Sequence, residues 1–354
     1  MSSTPHEAIL YEKLPDSKVH CFLCARQCYI ADDGVGFCLV RKNEKGKLYS
    51  LNYGKACSVC VDPIAKKPLF HFHPGASALS IATMGCNFRC QFCDNWVISQ
   101  AKNMASQNFP PSEIVKSAQE NNCQGISYTY TEPTIFMEYA LDTAGLARQV
   151  GFFNTFVTNG YMTTDAVKTI ASVLDAATVD FKGAADPEFY KKFSAVPSVE
   201  PIFQTLKDLK RNNIHIEITN LIVPKLGDSM ERLKQLAQWI KDGLGADTPM
   251  HLLRFHPDYK MTGIGATAVQ TLEEAYTAVR KEVGLNYVYI GNVPGHRFEN
   301  TYCPNCNELL IKRFSFEIAK WNLTKDKRCP ACGHDIPIKG SLYTSGTGYP
   351  YAVF

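Results

Sequence analysis

The chain has 354 residues, 45% of them hydrophobic, and a formal net charge of +3. That length supports one large core with small appended modules, and a charge so near balance, without a basic stripe, argues against nucleic acid as the main partner. No apolar run reaches the roughly 18 residues of a membrane span and the polar opening MSSTPHEAILYEKLPDSK lacks an export signal, so a soluble, cytoplasmic protein is expected.

Fourteen cysteines are many for such a chain. Their CxxC-type spacing points to metal sites in a reducing compartment rather than to disulfides. The first set is Cys21, Cys24, Cys28 and Cys38, with Gly34 and Gly36 giving the tight backbone that a ligand loop needs. Four thiolates close one tetrahedral zinc or hold an accessory iron–sulfur cluster; the absence of an open position favours zinc. Cys57 and Cys60 form a further CxxC with no favoured role among ligands, redox pair and buried residues. In the connector DPIAKKPLFHF that follows, two prolines argue against a helix. His71 and His73 would share one face of an extended segment, for packing or hydrogen bonding before metal binding. Residues 1–77 read as an N-terminal Cys-rich metal-binding segment.

The stretch Met84 to Trp96 holds Cys86, Cys90 and Cys93 as CxxxCxxC. A structural zinc takes four protein ligands, and a [4Fe-4S] cluster has four irons to ligate. Three thiolates on a cluster leave one iron open to bind a small molecule. The alternative is zinc with a fourth ligand from elsewhere.

From residue 78 to 298 apolar strand-length runs alternate with helical patterns. The strands are ALSIATM, GISYTYT, FNTFVT, AATVDF, HIEITNLIV, MHLLRFH and YVYIGNV. Between them, Met230, Leu233, Leu236, Ala237, Ile240 and Leu244 form one helical stripe, and Thr271-x-x-Glu274 reads as a capping box. The alternation predicts parallel strands with helical crossovers. About six units are too few for a closed eight-fold barrel. The expected fold is α/β, a partial (β/α)6 barrel, with a doubly wound sheet as second choice. In a barrel the site gathers where strands end. The strand ends here carry Tyr130 to Pro133, Thr158 to Gly160, Asp180 to Lys182, Asn220 to Pro224 and Arg254 to Pro257.

Residues 299–354 form a separate tail. Cys303, Cys306, Cys329 and Cys332 make two CPxC knuckles with 22 residues between them, and LLIKRFSFEIAKW can pair as strands across a metal. This predicts a zinc ribbon, or a rubredoxin-type iron site as the alternative, acting as a lid or docking surface. Cys123 reads as a small core residue, and the Gly-rich aromatic end GSLYTSGTGYPYAVF carries no assignable function.

Gly85 to Trp96 resembles the cluster loop of radical S-adenosylmethionine (SAM) enzymes. With the Cys21–Cys38 segment, DPIAKKPLFHFHPG, YTEPTIF, VTNG and the tail, nearly the whole chain resembles the AmmeMemoRadiSam radical-SAM family, related to pyruvate formate-lyase activating enzymes. The resemblance implies that Cys86, Cys90 and Cys93 ligate a [4Fe-4S] cluster whose open iron binds SAM. It implies that Phe92 contacts the adenine, and that Glu132 and Thr131 stand where a Gly-Gly-Glu motif holds the methionine amino group. Only Glu132 and Pro133 match that motif. Asn159, Asp180, Lys182 and His256 occupy equivalent strand ends. The implied reaction is reductive cleavage of SAM to methionine and a 5′-deoxyadenosyl radical that takes a hydrogen atom from a substrate. Asn95 is a candidate donor to the cluster sulfurs. Implied partners are a low-potential electron donor and Memo-type and AMMECR-type proteins. The substrate stays open between a protein and a small metabolite; a non-catalytic zinc or redox scaffold is the third reading.

Overall fold

The computed structural model describes residues 6–100, 106–344 and 350–353. Its centre is a parallel sheet of seven strands: β1 (Ser77–Ala82), β2 (Gly125–Tyr128), β3 (Phe153–Thr158), β4 (Ala176–Lys182), β5 (His215–Ile222), β6 (Met250–Arg254) and β7 (Val288–Gly291). Neighbours in space follow the order of the chain without reversal. A doubly wound sheet needs a reversal of strand order, so that second reading is overturned. An antiparallel strand, Ser58–Pro63, extends the sheet beyond β1, and Tyr351–Ala352 pairs on its outer edge.

Every residue of β1 and β2 is buried, as expected of parallel strands covered on both faces. The crossovers are α1 (Pro111–Glu120), α2 (Met137–Gln149), α3 (Thr164–Ala171), the pair α4 (Pro187–Ser194) and α5 (Glu200–Arg211), α6 (Met230–Gly243) and α7 (Val269–Thr277). Helix α6 shows why the sequence encodes them. Ser229 caps it by accepting the Arg232 N–H, and its apolar stripe buries Leu233, Leu236, Ala237 and Ile240. The capping box at Thr271 is a correction. Helix α7 starts at Val269 after Ala268, with no side-chain cap, so Thr271 lies inside it. Glu274 instead accepts from Gln270 at 3.0 Å. Burial of Leu272 and Ala275 against the core holds this helix without the cap.

The N-terminal segment folds as small antiparallel sheets beside the main sheet. Cys57 sits in a bend with its Sγ 3.5 Å from the Ala82 carbonyl, and Cys60 lies on the following strand with its Sγ 3.8 Å from the Ser58 hydroxyl. His71 and His73 fail to share a face. His71 is fully buried, with Nε2 2.6 Å from the Tyr289 hydroxyl, whereas His73 turns at φ 43° and packs beside Gly340. Cys123 is buried in the core, as its sequence position suggested.

Below the strand ends lies a buried polar cluster. Glu217 of β5 accepts from the His71 backbone N–H at 2.7 Å, and its carboxylate stands 2.8 Å from His251 and 3.1 Å from His215. Burial alone would raise the Glu217 carboxyl, yet the two imidazoles hold it well below the usual range. The tail joins this cluster. Its sheet comprises Thr301–Tyr302, Leu309–Phe314 and Glu317–Trp321. From it Arg313, 4% exposed, donates to Thr301 Oγ1 at 2.7 Å and to the Phe70 and Glu299 carbonyls. Its guanidinium lies 4.3 Å over the Phe70 ring.

Candidate functional site

The C-terminal ends of all seven strands, or the loops that leave them, converge on one cavity of about 890 Å³. Alternation along the strands explains which side chains enter it. Asp180 and Lys182 on β4, and Thr219 and Leu221 on β5, are two apart and so share the cavity face. Every residue expected at the site lines this cavity: Cys86, Cys90, Cys93, Phe92, Thr131, Glu132, Asn159, Asp180, Lys182 and His256.

The loop after β1 carries the three cysteines. It is held by backbone contacts that its sequence does not advertise. Arg89 donates to the Cys86 and Phe88 carbonyls at 2.6 and 2.8 Å and to the Phe37 carbonyl. Arg26 donates to the Asn87 carbonyl at 2.9 Å, and the Arg89 and Gln91 N–H groups bond to the Ser194 and Phe193 carbonyls. Gly85 opens the loop at φ +93°, where a Cβ would sit 2.5 Å from the Cys38 carbonyl oxygen. Glycine alone fits both the backbone and the approach.

The sulfurs have polar neighbours. Ser194 Oγ lies 3.4 Å from Cys90 Sγ, Ser99 Oγ 3.2 Å from Cys93 Sγ, and the Phe88 N–H donates to Cys86 Sγ at 3.4 Å. The expected Asn95 side chain is not among them, since its amide bonds to Asp94; only its backbone N–H addresses Cys93. Burial pushes the Cys93 thiol up to about 12 and raises Cys86 and Cys90 as well. Three thiols on one wall, Cys90 buried and Cys86 and Cys93 half-buried, therefore need a cationic centre to become thiolates. Lys182 stands among Asp180, Tyr190, Cys90 and Cys86. Burial opposes its charge, but the pull of the Asp180 carboxylate, first among these neighbours, outweighs it and holds the ammonium protonated.

The opposite wall is a hydrogen-bonded frame. Glu132 Oε1 accepts from the Thr134 N–H and hydroxyl at 3.0 and 2.5 Å and from Thr158 at 2.7 Å; Oε2 accepts the Asn159 N–H at 2.8 Å. This carboxylate ties the loops after β2 and β3 together. Asn159 then donates to Asn87 Oδ1 at 2.7 Å, linking that frame to the cysteine loop. Thr131 fixes its end by donating to the Thr83 carbonyl at 2.8 Å.

Sequence reading missed Asn87, whose partner is 72 residues away, and the third wall. There Asp62 accepts from Lys66 at 2.8 Å, from Lys67 at 2.6 Å and from the Tyr130 hydroxyl. Burial would raise the Asp62 carboxyl, but Lys67 and the other two donors hold it far below its usual range. Lys67, 2% exposed, is lowered to about 8 by burial against the pull of Asp62. The rim receives Ser315 and Phe316 from the hairpin turn of the tail.

In the tail itself, Cys303, Cys306, Cys329 and Cys332 bring all four sulfurs within 4.8 Å of one another. The Cys303–Cys332 and Cys306–Cys329 separations are both 3.6 Å. Tetrahedral ligands about 2.3 Å from one ion stand about 3.8 Å apart, so these four sulfurs are gathered closely enough to hold a metal ion.

Comparison with known proteins agrees with this geometry. The family model of the radical SAM superfamily matches residues 80–240. An uncharacterised protein of Methanocaldococcus jannaschii is 48% identical over 94% of this chain and 99% of its own. The pyruvate formate-lyase-activating enzyme of Clostridium pasteurianum is 24% identical over 51% of this chain and 81% of its own. Among solved structures, a radical SAM methyltransferase from Sphaerobacter thermophilus aligns at 14% identity and TM-score 0.49, covering 62% of this chain and 67% of that one. Among the described residues no helix is long and apolar enough to cross a membrane. With its CxxxCxxC loop at the mouth of a sequentially ordered parallel sheet, the chain belongs to the radical SAM superfamily.

Proposed function

We propose that this protein is a radical SAM enzyme whose sheet is a partial β/α barrel and whose tail is a zinc ribbon. The observation that carries the reading is the three cysteines of one loop, Cys86, Cys90 and Cys93, facing the cavity in which all seven strand ends meet. A [4Fe-4S] cluster with SAM at that position supplies reductive cleavage to methionine and a 5′-deoxyadenosyl radical. The chain's own part is to hold and shield. Cys86, Cys90 and Cys93 hold the cluster, with Ser99, Ser194 and the Phe88 N–H donating to their sulfurs. The Glu132–Asn159–Asn87 frame fixes the wall against which SAM lies, and Phe92 offers an apolar face to its adenine. Lys182 balances anionic charge beside Cys86 and Cys90. Because Glu132 spends both oxygens on the frame, its role is to position that wall.

For the substrate we propose a protein or peptide. Trp96, 40% exposed, stacks on Tyr259 at 5.1 Å beside the cavity rim, and Val97 next to it is 48% exposed. An apolar rim of this kind suits a macromolecular partner better than a free metabolite. The test is anaerobic. Reconstituted protein, reduced with dithionite and given SAM, should release 5′-deoxyadenosine, and Cys86→Ala should not. Equal product from both, or none from well-loaded protein, would falsify the proposal. Zinc measured at one ion per chain, and lost in Cys306→Ser, tests the ribbon.

A further inference from the structure

Cys21, Cys24, Cys28 and Cys38 have no part in the site above, yet the fold gathers them. All four line one small cavity with Arg26, Arg41 and Ile135. Cys21 and Cys28 oppose each other in register across the hairpin Val19–Cys21 and Cys28–Ile30. Cys24 is fixed by a β-bridge to Met162, and Cys38 lies at the turn that packs on Gly85.

The separation of the sulfurs decides which metal fits. The tail's four cysteines satisfy the mononuclear spacing. Among the described residues, the tail's four cysteines are the one group gathered closely enough to hold a single ion as they stand; neither the N-terminal four nor Cys86, Cys90 and Cys93 form such a group. The N-terminal four surround a small space of about 10 Å³. Ligands of a cubane attach to separate corners, so their sulfurs must stand wider than around one ion. The wall supplies a second, independent sign. Arg41 is 1% exposed, and its Nε–H has no partner although the head group is gripped by Glu138 at 2.6 Å and the Ile9 carbonyl at 3.2 Å. A buried, unsatisfied cationic N–H beside four thiols calls for an anionic group in the cavity.

We propose that Cys21, Cys24, Cys28 and Cys38 ligate a second [4Fe-4S] cluster, held against the loop of the first. The two cysteine sets touch through the backbone. The Cys38 carbonyl abuts Gly85, one residue before Cys86, and Arg89 spans from the Phe37 carbonyl to the Cys86 carbonyl. The assignment does not rest on SAM cleavage, only on metal content.

The experiment is iron and sulfide analysis with electron paramagnetic resonance on full-length protein reconstituted anaerobically. The Cys86→Ser/Cys90→Ser/Cys93→Ser variant should retain about half of the wild-type iron and sulfide, as one remaining cubane. Dithionite should give it a cubane signal, and adding Cys24→Ser/Cys28→Ser should remove that signal. Wild type carrying both clusters should show a reduced spectrum broadened by coupling of neighbouring spins, and either single-set variant a narrower one. Zinc in place of iron in the triple variant, or no metal, overturns the assignment. Two unbroadened signals overturn the contact between clusters. Should the triple variant not fold, Cys24→Ser/Cys28→Ser alone reads the same quantity from the other side. Iron should fall by half, and unchanged iron overturns the proposal.

Discussion

Asp62→Asn isolates the energetics of the third cavity wall. The carboxylate binds Lys66 at 2.8 Å and Lys67 at 2.6 Å and accepts the Tyr130 hydroxyl. Lys67 is 2% exposed, so the variant leaves its ammonium inside the protein without an anion. Breaking one side of a buried pair costs about 3–5 kcal/mol. The substituted amide would still accept one hydrogen bond and Lys66, about a third exposed, escapes to water, which favours the lower end, about 3 kcal/mol at pH 6. The pH dependence carries the stronger test. Lys67 is already lowered to about 8 in the fold, against ~10.4 in an unfolded chain. For a lysine lowered by folding, the unfolded state binds more protons between those two values, so stability rises with pH across that window. Without Asp62 the folded value drops further, and the window opens at lower pH. The deficit of the variant should therefore be largest near pH 6 and shrink by pH 8, where wild-type Lys67 still holds much of its charge. Anaerobic urea unfolding of reconstituted protein at both pH values measures it. A wild-type midpoint at pH 6, or the same deficit at both, refutes the pairing argument.

Gly85→Ala forces a Cβ to 2.5 Å from the Cys38 carbonyl at φ +93°. Left-handed backbone costs about 1–2 kcal/mol and the overlap about 1–3 more; reduced iron content and a lower melting temperature should both appear. Ser99→Ala and Ser194→Ala each remove a hydroxyl from a cluster sulfur. Both should move the reduction potential to more negative values in a redox titration followed by paramagnetic resonance; an unchanged potential would show that neither hydroxyl donates. Arg41→Met should destabilise by about 3–5 kcal/mol by stranding Glu138, whereas Arg41→Met with Glu138→Leu should recover most of that in denaturant midpoint.

The seven strands were legible because burial on both faces makes each a short apolar run, and helices such as α6 announce themselves by spacing and cap. The cysteine loop and the strand-end residues were legible for the same reason, since position at the end of a strand fixes position at the cavity. What escaped was contact across long separations. Nothing near Asn87 in the chain signals Asn159, and nothing near Asp62 signals that its lysines and Tyr130 would form a wall. The N-terminal cysteines illustrate a different limit: their count and spacing in the chain suit zinc or a cluster equally, and only how closely the fold gathers them bears on the choice.

Arg313 sets a boundary on how the cavity opens. Because its guanidinium is sunk between Phe70 and Tyr289 and saturated by Thr301 and two backbone carbonyls, the tail module cannot swing away as a rigid body without tearing a charge out of the interior. On this side of the cavity, freedom to move is left to the hairpin turn beyond it, where Ser315 and Phe316 reach the cavity lining.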